Sequence, residues 1–165
     1  MLFVDSGSTN FAAVQALPDD LRLTVATHDP VIAAAVSAKP QIRRWLIGGR
    51  VSREVGAALG GQTLADIEAV RPEFALLGVC ALDPEAGIAA FDPEDAEIKR
   101  ALLRNSSRVA AAILNEKLET SAPFALGPAE SLDRAILEAD APEPVARAFA
   151  DRGMIVLRAQ PAEAD

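Results

Sequence analysis

The sequence predicts an α/β domain with a largely parallel sheet. Short apolar runs of strand length alternate along the 165 residues with longer helix-like patterns, which is typical of parallel strands joined by crossover helices. Half of the residues are apolar, only 4% are aromatic and none is tyrosine. The length suits one domain with a single core, and that core is expected to be aliphatic and alanine-rich.

The alternation predicts seven strands and five helices. Asp29-Pro30 and Asp92-Pro93 each place a capping carboxylate before a proline at the first helical position. The nearly continuous apolar run 74–80 is expected to be a strand covered on both faces. The predicted strands are residues 2–4, 21–25, 45–47, 74–80, 109–114, 135–137 and 154–157, and the predicted helices are 11–17, 31–38, 62–70, 93–104 and 144–152. We expect one domain over residues 1–158 and a C-terminal tail over 159–165.

Composition excludes several classes of protein. The net charge of −8 argues against a free-standing nucleic-acid binder, which needs clustered Lys and Arg. Cys80 is the single cysteine and His28 the single histidine, so an internal disulfide and a zinc site lack partners and no metal is expected. The chain has neither a run of about 18 apolar residues nor a signal peptide at Met1, and we therefore predict a cytoplasmic protein without membrane contact.

The turns that follow the predicted strands are the candidate sites, because ligands bind at the carboxyl ends of parallel strands where strand order reverses. The turn at residues 5–9 (DSGST) leads into a helix and could bind an anion there. Simple capping of that helix by Ser8 or Thr9 is the alternative, and the pattern alone favours it. Gly48-Gly49 with Arg50 could admit an anionic ligand, although most Gly-Gly pairs are turns.

The remaining candidates are single side chains whose ordinary interpretation is structural. His28 is interpreted as a polar loop residue, Cys80 as a buried inert thiol and Trp45 as core. The acidic run 92–95 is explained by capping. Most lysines are solvated, although one at a strand end can bind phosphate, so Lys117 stays a weaker candidate. The residues show no catalytic triad, metal set or acid–base pair.

Seven segments in order resemble one family over residues 2 to about 158. They are residues 3–9 (FVDSGST), 23–28 (LTVATH), 46–50 (LIGGR), 56–60 (GAALG), 74–78 (FALLG), 82–87 (LDPEAG) and 97–101 (EIKRA). The chain resembles the C-terminal effector-sensing domain of DeoR-type bacterial transcriptional regulators. Each segment is weakly specific, and their order and spacing carry the resemblance.

The resemblance implies a three-layer, Rossmann-like α/β fold with a mostly parallel sheet, similar to ribose-5-phosphate isomerase, glucosamine-6-phosphate deaminase and CoA-transferase domains. It implies a sensor, not an enzyme, that binds a phosphorylated sugar or related metabolite without a cofactor. It also implies a homo-oligomer that reaches DNA only through an N-terminal winged helix-turn-helix, which this chain is expected to lack. The implied ligand residues are Asp5, Ser6, Gly7, Ser8, Thr9, Thr27, His28, Gly48, Gly49, Arg50, Gly78, Glu97, Lys99 and Lys117.

Two other functions stay open: a sugar-phosphate isomerase or deaminase of the same fold, and a domain that only oligomerises. The chain also departs from the family where polar residues are usual. It has VCA at residues 79–81, AA at 89–90 and LNE at 114–116, which removes hydroxyl and carboxylate partners of a sugar. A different effector, a less polar one, or a degenerate pocket would each fit these departures.

Overall fold

A parallel sheet forms the centre of the protein. The computed structural model describes residues 1–160. The strands are β1 (Leu2–Val4), β2 (Thr24–Thr27), β3 (Arg43–Leu46), β4 (Arg50–Val51), β5 (Ala58–Leu59), β6 (Phe74–Leu76), β7 (Ala81–Asp83), β8 (Gly87–Ala90), β9 (Val109–Ile113), β10 (Phe124–Gly127), β11 (Arg134–Leu137) and β12 (Ile155–Arg158). In this part of the chain seven strands form the main sheet in the order β12-β11-β9-β6-β1-β2-β3, and every neighbouring pair is parallel.

Helices cover both faces of this sheet. They are α1 (Ser8–Gln15), α2 (Pro30–Ser37), α3 (Gly61–Glu68), α4 (Pro93–Asn105) and α5 (Glu143–Asp151). Val4 packs in a cluster with side chains of α1 and α2, whereas its neighbour Phe3 packs in a cluster with side chains of α3, α4 and α5. Successive strand residues point to opposite faces, so the two clusters lie on opposite sides of the sheet. The predicted three-layer α/β fold is confirmed.

Both predicted Asp-Pro helix starts are confirmed. Asp29 caps α2 and Asp92 caps α4, each with a proline in the first turn. No helix among the described residues is long and apolar enough to cross a membrane.

Two smaller antiparallel sheets were not predicted. One joins β7, β8 and β10, and the other pairs β4 with β5. Their strands are only two to four residues long and rich in Ala and Gly, which gives little strand signal. The predicted strand over 74–80 is too long: β6 ends at Leu76.

The side chain of Trp45 does not lie in the core, where the sequence predicts it. The core assignment is wrong, because β3 is an edge strand of the main sheet and the Trp45 side chain is 49% exposed. The strand predicted over 21–25 also begins later, at Thr24.

The order of the strands reverses beside β1. From β1 the chain builds outward through β2 and β3, and from β6 it builds in the other direction through β9, β11 and β12. A crevice is expected at such a switch point, at the carboxyl ends of the strands. In this protein that position is bordered by the segments that follow β1 and β6.

Candidate functional site

A cavity of about 490 Å³ lies at this switch point, within the size range of small-molecule sites. Segments that follow β1, β6 and β9 contribute to it, together with the start of α4 and the loop between β4 and β5. The lining residues are Ser6, Gly7, Ser8, Thr9, Asn10, Glu54, Val55, Gly78, Val79, Cys80, Phe91, Asp92, Asp95, Lys99, Ala112 and Lys117.

The turn between β1 and α1 leaves the start of the helix open. Gly7 is the N-cap residue with φ 130° and ψ 151°, a conformation that is essentially restricted to glycine. No side chain of residues 1–160 caps α1, so the predicted capping by Ser8 or Thr9 is wrong. The first N–H groups of a helix have no intrahelical partner, and here the residues that carry them line the cavity.

Asn10 holds this turn against the sheet. Its buried side-chain amide donates to the carbonyls of Asp5 (2.9 Å) and Leu76 (3.3 Å). The amide therefore joins the segment after β1 to the end of β6. This fixes the position of the open helix end relative to the other strand at the switch point.

A buried ionic network lies at the base of the cavity. The Lys99 ammonium donates to Asp5 Oδ2 at 2.7 Å and to Asp95 Oδ1 at 2.8 Å, and all three side chains are buried. The Asp5 carboxylate also accepts from the backbone N–H groups of Ser6 and Gly78, both at 2.8 Å. Asp5 thus connects β1, α4 and the segment after β6.

The network sets the charge states of its members. Burial alone would raise the pKa of Asp5, but the Lys99 ammonium and the hydrogen bond from His28 hold it well below its ordinary value. Burial lowers the pKa of Lys99, but the two carboxylates outweigh it and the pKa is raised. Burial raises the pKa of Asp95, Lys99 lowers it and Asp5 raises it, for a net increase. Lys99 is therefore a permanent cation whose charge is already matched by Asp5 and Asp95.

His28 is a buried structural residue, which corrects its interpretation as a polar loop residue. Its side chain is fully buried. Nδ1 lies 2.8 Å from the Ala58 carbonyl, which can only accept, and Nε2 lies 2.9 Å from Asp5 Oδ1. The backbone carbonyl of His28 accepts from the Ala58 N–H at 2.9 Å. His28 therefore fastens the β4–β5 ribbon to the Asp5 network from below the cavity.

Lys117 supplies the other cation of the lining. It ends the 3-10 turn Asn115–Lys117 that follows β9, and it is half-buried. Within residues 1–160 its ammonium makes no ion pair or hydrogen bond. Among the described residues its charge is therefore not matched by a carboxylate, in contrast to that of Lys99.

The structure brings half of the predicted ligand residues together. Those in the lining are Ser6, Gly7, Ser8, Thr9, Gly78, Lys99 and Lys117. Asp5 and His28 lie beneath it, in the buried network. The other five are Thr27, Gly48, Gly49, Arg50 and Glu97, and they lie outside the lining.

Each of these five residues has another role or position. Thr27 Oγ1 accepts from the Asp29 N–H, and the Gly48 carbonyl accepts from the Thr63 hydroxyl. A Cβ on Gly49 would lie 2.1 Å from that same hydroxyl, so Gly49 serves close packing. Arg50 is exposed and pairs with Glu94, while Glu97 is on the exposed face of α4.

Several lining residues are not predicted by the sequence. The interpretation of Asp95 as a capping residue is wrong, because Asp92 is the cap of α4 and Asp95 is the buried partner of Lys99. Its spacing of four residues from Lys99 was the available signal. Cys80 is partly exposed in the cavity lining, not buried in a strand. The other lining residues that were not predicted are Asn10, Glu54, Val55, Val79, Phe91, Asp92 and Ala112.

Within residues 1–160 no group of three or more His, Cys, Asp or Glu is arranged so that it could hold a metal ion.

Comparison with known proteins gives a consistent family. The chain is 30% identical over 144 residues to the glycerol-3-phosphate regulon repressor of Escherichia coli (strain K12), covering 87% of this chain and 56% of that protein. It is 25% identical to the repressor of the same name in Haemophilus influenzae, covering 86% and 55%. It is 24% identical to the HTH-type transcriptional regulator GolR of Listeria innocua, covering 94% and 61%.

The chain thus spans little more than half the length of these curated relatives. A family model described as the DeoR C terminal sensor domain matches residues 1–139. The resemblance seen in the sequence is confirmed, and the chain belongs to the DeoR C-terminal sensor domain family.

Proposed function

We propose that this domain is the ligand sensor of a DeoR-type transcriptional regulator. It binds a phosphorylated sugar or related metabolite in the cavity and thereby changes the affinity of an N-terminal helix-turn-helix domain for its operator. The domain proposed as the sensor covers residues 1–158. Two relatives are repressors of a regulon named for glycerol 3-phosphate, so small phosphorylated polyols are among the first compounds to test.

The open start of α1 is the observation that carries this proposal. Phosphate oxygens accept hydrogen bonds, and the uncapped N–H groups of a helix end provide donors together with the positive end of the helix dipole. Ser6, Ser8 and Thr9, which each carry a hydroxyl group, line the same cavity. A phosphate placed there would receive donors from both backbone and side chains.

Lys117 provides the charge for that anion. The net charge of −8 creates an unfavourable background field for an anionic ligand, so binding depends on local donors. Lys99 is already neutralised by two carboxylates, whereas Lys117 makes no ion pair within residues 1–160. We therefore assign Lys117 the ionic contact to phosphate and Lys99 the task of holding the cavity floor.

The enzymatic alternative has less support from the geometry. A sugar-phosphate isomerase or deaminase needs a base that reaches the substrate. Asp5 is fully buried and its carboxylate is occupied by four donors. Lys99 stays protonated, so it is not a nucleophile. The relatives described above are transcriptional regulators and repressors, which also favours sensing.

Binding is tested by thermal unfolding and calorimetry with inorganic phosphate, glycerol 3-phosphate and glucose 6-phosphate, against glycerol and glucose. At a hundred times its Kd a ligand stabilises the folded protein by about 2.7 kcal/mol. We expect saturable stabilisation by phosphorylated compounds only. The proposal would be contradicted if none of the three phosphate compounds stabilised the folded protein at millimolar concentration.

Lys117→Met tests the assigned contact, with Arg147→Met as the matched control. Arg147 is an exposed cation on α5, outside the cavity lining. Removing a charge-assisted hydrogen bond costs about 1.5–3 kcal/mol, so Lys117→Met should weaken phosphate binding about tenfold or more. Arg147→Met should leave it unchanged, and equal loss in both variants would contradict the assignment.

Coupling to DNA is tested in the full-length protein. If binding of the effector changes the affinity of the protein for its operator by some factor, binding of the operator must change the affinity for the effector by the same factor. We also expect a homo-oligomer, measured by sedimentation. The Lys117→Met variant of the full-length protein should still bind the operator but should no longer respond to the effector. A domain that only oligomerises would show no response to the effector even without the substitution.

A further inference from the structure

Both edges of the main sheet leave strand backbone unpaired among the described residues. β12 pairs with β11 on one side only, and β3 pairs with β2 on one side only, within residues 1–160. A free edge presents a row of N–H and C=O groups with which another strand can pair, and many proteins protect such an edge with charged side chains. The two edges of this sheet differ in that protection.

The β3 edge is protected by charge. Arg43 and Arg44 occupy the first two of its four positions, and both residues are exposed. Two copies of β3 that paired antiparallel would bring both arginine pairs into one short ladder. Like charges placed opposite each other on neighbouring strands are destabilising, so β3 is a poor edge for self-association.

The β12 edge lacks this protection. Its residues Ile155, Val156 and Leu157 are apolar, and the guanidinium of Arg158 at its end pairs with Glu143 of α5 at 2.7 Å. Ile155 is 49% exposed and Leu157 is 46% exposed. An apolar free edge of this kind is a site at which another strand can be added to the sheet.

Ile155 and Leu157 also lie on a part of the sheet that α1 and α2 leave uncovered. The strand registers place both residues on the same face as Val4. The cluster that α1 and α2 form on that face contains no residue of β11 or β12. Beside them on β11 lie the half-buried Ile136 and Arg134, so the charged residue of this surface stands one strand away from the edge.

The backbone of β12 is suited to an antiparallel partner. The N–H of Ile155 donates to the carbonyl of Asp133 on the β11 side at 2.9 Å. Successive residues of a strand direct their N–H and C=O groups to opposite edges. Val156 and Arg158 therefore direct these groups to the free edge, where a second strand would find them.

A second copy of β12 fits this edge when the two strands are related by a two-fold axis at Val156. The two Val156 residues would exchange a pair of hydrogen bonds. Ile155 of each copy would lie opposite Leu157 of the other, in the more closely spaced position where side chains contact most directly. Each Arg158 would lie opposite Met154 and not opposite the other Arg158. The strand is thus self-complementary in backbone, apolar contact and charge, as a closed two-fold interface requires.

We infer that β12 is an interface at which two copies of this domain pair antiparallel about Val156, so that the main sheet continues from one copy into the other. The joined sheet places Ile136, Ile155 and Leu157 of both copies side by side, and apolar surface exposed in one copy is covered by the other. β12 contributes no residue to the cavity lining, so the inference does not depend on the ligand proposed above.

Sedimentation equilibrium of the 165-residue chain tests the inference, with Leu157→Lys as the variant and Leu46→Lys as its matched control. Leu46 is a leucine on the other edge strand and is 50% exposed, close to the 46% of Leu157. We expect a monomer–dimer equilibrium at concentrations between about 1 μM and about 1 mM. Leu157→Lys should weaken it at least about tenfold, because it places charges in the apolar contact, whereas Leu46→Lys should leave it unchanged.

Amide hydrogen exchange of the natural protein provides a second measurement that needs no variant. The outward N–H groups of Val156 and Arg158 should be protected in the dimer, and this protection should increase with protein concentration. Those of Arg44 and Leu46, which point away from β2, should exchange rapidly at every concentration. Circular dichroism checks the fold of Leu157→Lys, and the exchange measurement decides if that variant does not fold.

Three results would overturn the inference. The first is a chain that stays monomeric up to about 1 mM, and the second is a dimer that Leu157→Lys leaves intact or that Leu46→Lys weakens equally. The third is protection of Val156 that does not change with concentration, which would mean that the same chain covers β12. Each result would leave the proposed function in place, because none of them concerns phosphate binding.

Discussion

The first two strand–turn–helix units of the protein differ in how the N-terminal end of the helix is capped. Each has a parallel strand, a turn that contains one aspartate, and an eight-residue helix. In the second unit Asp29 is the N-cap and its carboxylate accepts from the N–H groups of Val31 (2.7 Å) and Ile32 (3.2 Å). In the first unit Gly7 is the N-cap and no side chain of the described residues closes the helix.

The difference depends on where the aspartate stands in the turn. Asp29 directly precedes α2 and faces the helix end. Asp5 stands two residues before its N-cap and turns inward to Lys99, His28 and backbone N–H groups. One carboxylate therefore completes a helix, and the other builds the floor of a cavity and leaves the helix end free for a ligand.

Lys99→Met should have the largest effect on this arrangement. It leaves two buried carboxylates without their cation, and breaking a buried ion pair on one side costs about 3–5 kcal/mol. Urea unfolding measures the change in the free energy of unfolding. The control is Lys39→Met, which removes the partly exposed ion pair with Asp19. A loss of unfolding free energy below about 1 kcal/mol in Lys99→Met, which is the range of exposed pairs, would contradict the role of Lys99 as the centre of the network.

The first turn should also be sensitive to acid. Since the pKa of Asp5 is lowered in the folded state, its stabilisation is present above the ordinary value near 3.8 and is lost as the pH falls below that value. The free energy of unfolding should drop by up to about 1.4 kcal/mol per pH unit from this group. Asp95 has the opposite effect at higher pH. Because its pKa is raised, its protonation as the pH falls increases the free energy of unfolding.

Stability curves below pH 3.8 for the natural protein and Asp5→Asn check this expectation. The variant should lose this part of the acid dependence. Equal slopes in the two proteins would contradict the assignment of the ionised, network-bound carboxylate to Asp5.

Gly7→Ala tests the backbone of the open turn. Although nothing lies within 4 Å of the added Cβ, the conformation of Gly7 should make alanine cost about 1–3 kcal/mol. Gly61→Ala is the matched control, because Gly61 also has open space around it but no positive φ. Equal, small changes in melting temperature for both variants would show that the turn does not require glycine.

Asp29→Ala should have the smallest of these effects. Loss of a capping side chain costs about 0.5–2 kcal/mol, and the cavity lining does not include Asp29. Thermal unfolding should show the loss, while phosphate binding by calorimetry should stay unchanged. A large loss of phosphate affinity would mean that the two turns are not independent.

Much of this fold follows from local signals, whereas the site depends on contacts between distant segments. The caps Asp29 and Asp92 are visible as Asp-Pro pairs, and the main strands as apolar runs. The pairing of Asp5 with Lys99 spans 94 residues and has no local signature. His28 is likewise buried by partners on other strands, which its own neighbours in sequence do not reveal.

The spacing of residues along α4 carries a signal for part of the site. Glu97 and Lys99 cannot both face one ligand, because residues two apart on a helix point to different faces. Asp95 and Lys99 are four apart and share a face, as the structure shows. Trp45 also had a local signal, because Arg43 and Arg44 directly precede it in β3, whereas the central strands β1 and β6 contain no charged residue.

The central claim is that an anion binds at the open helix end of the first turn and not at the closed end of the second. Titration of ¹⁵N-labelled protein with inorganic phosphate, followed by the backbone amide resonances, tests it directly. The account predicts saturable shifts for the amides of Ser8, Thr9 and Asn10, with those of Val31 and Ile32 unchanged. Unchanged Ser8 and Thr9 amides, or equal shifts in both turns, would contradict it.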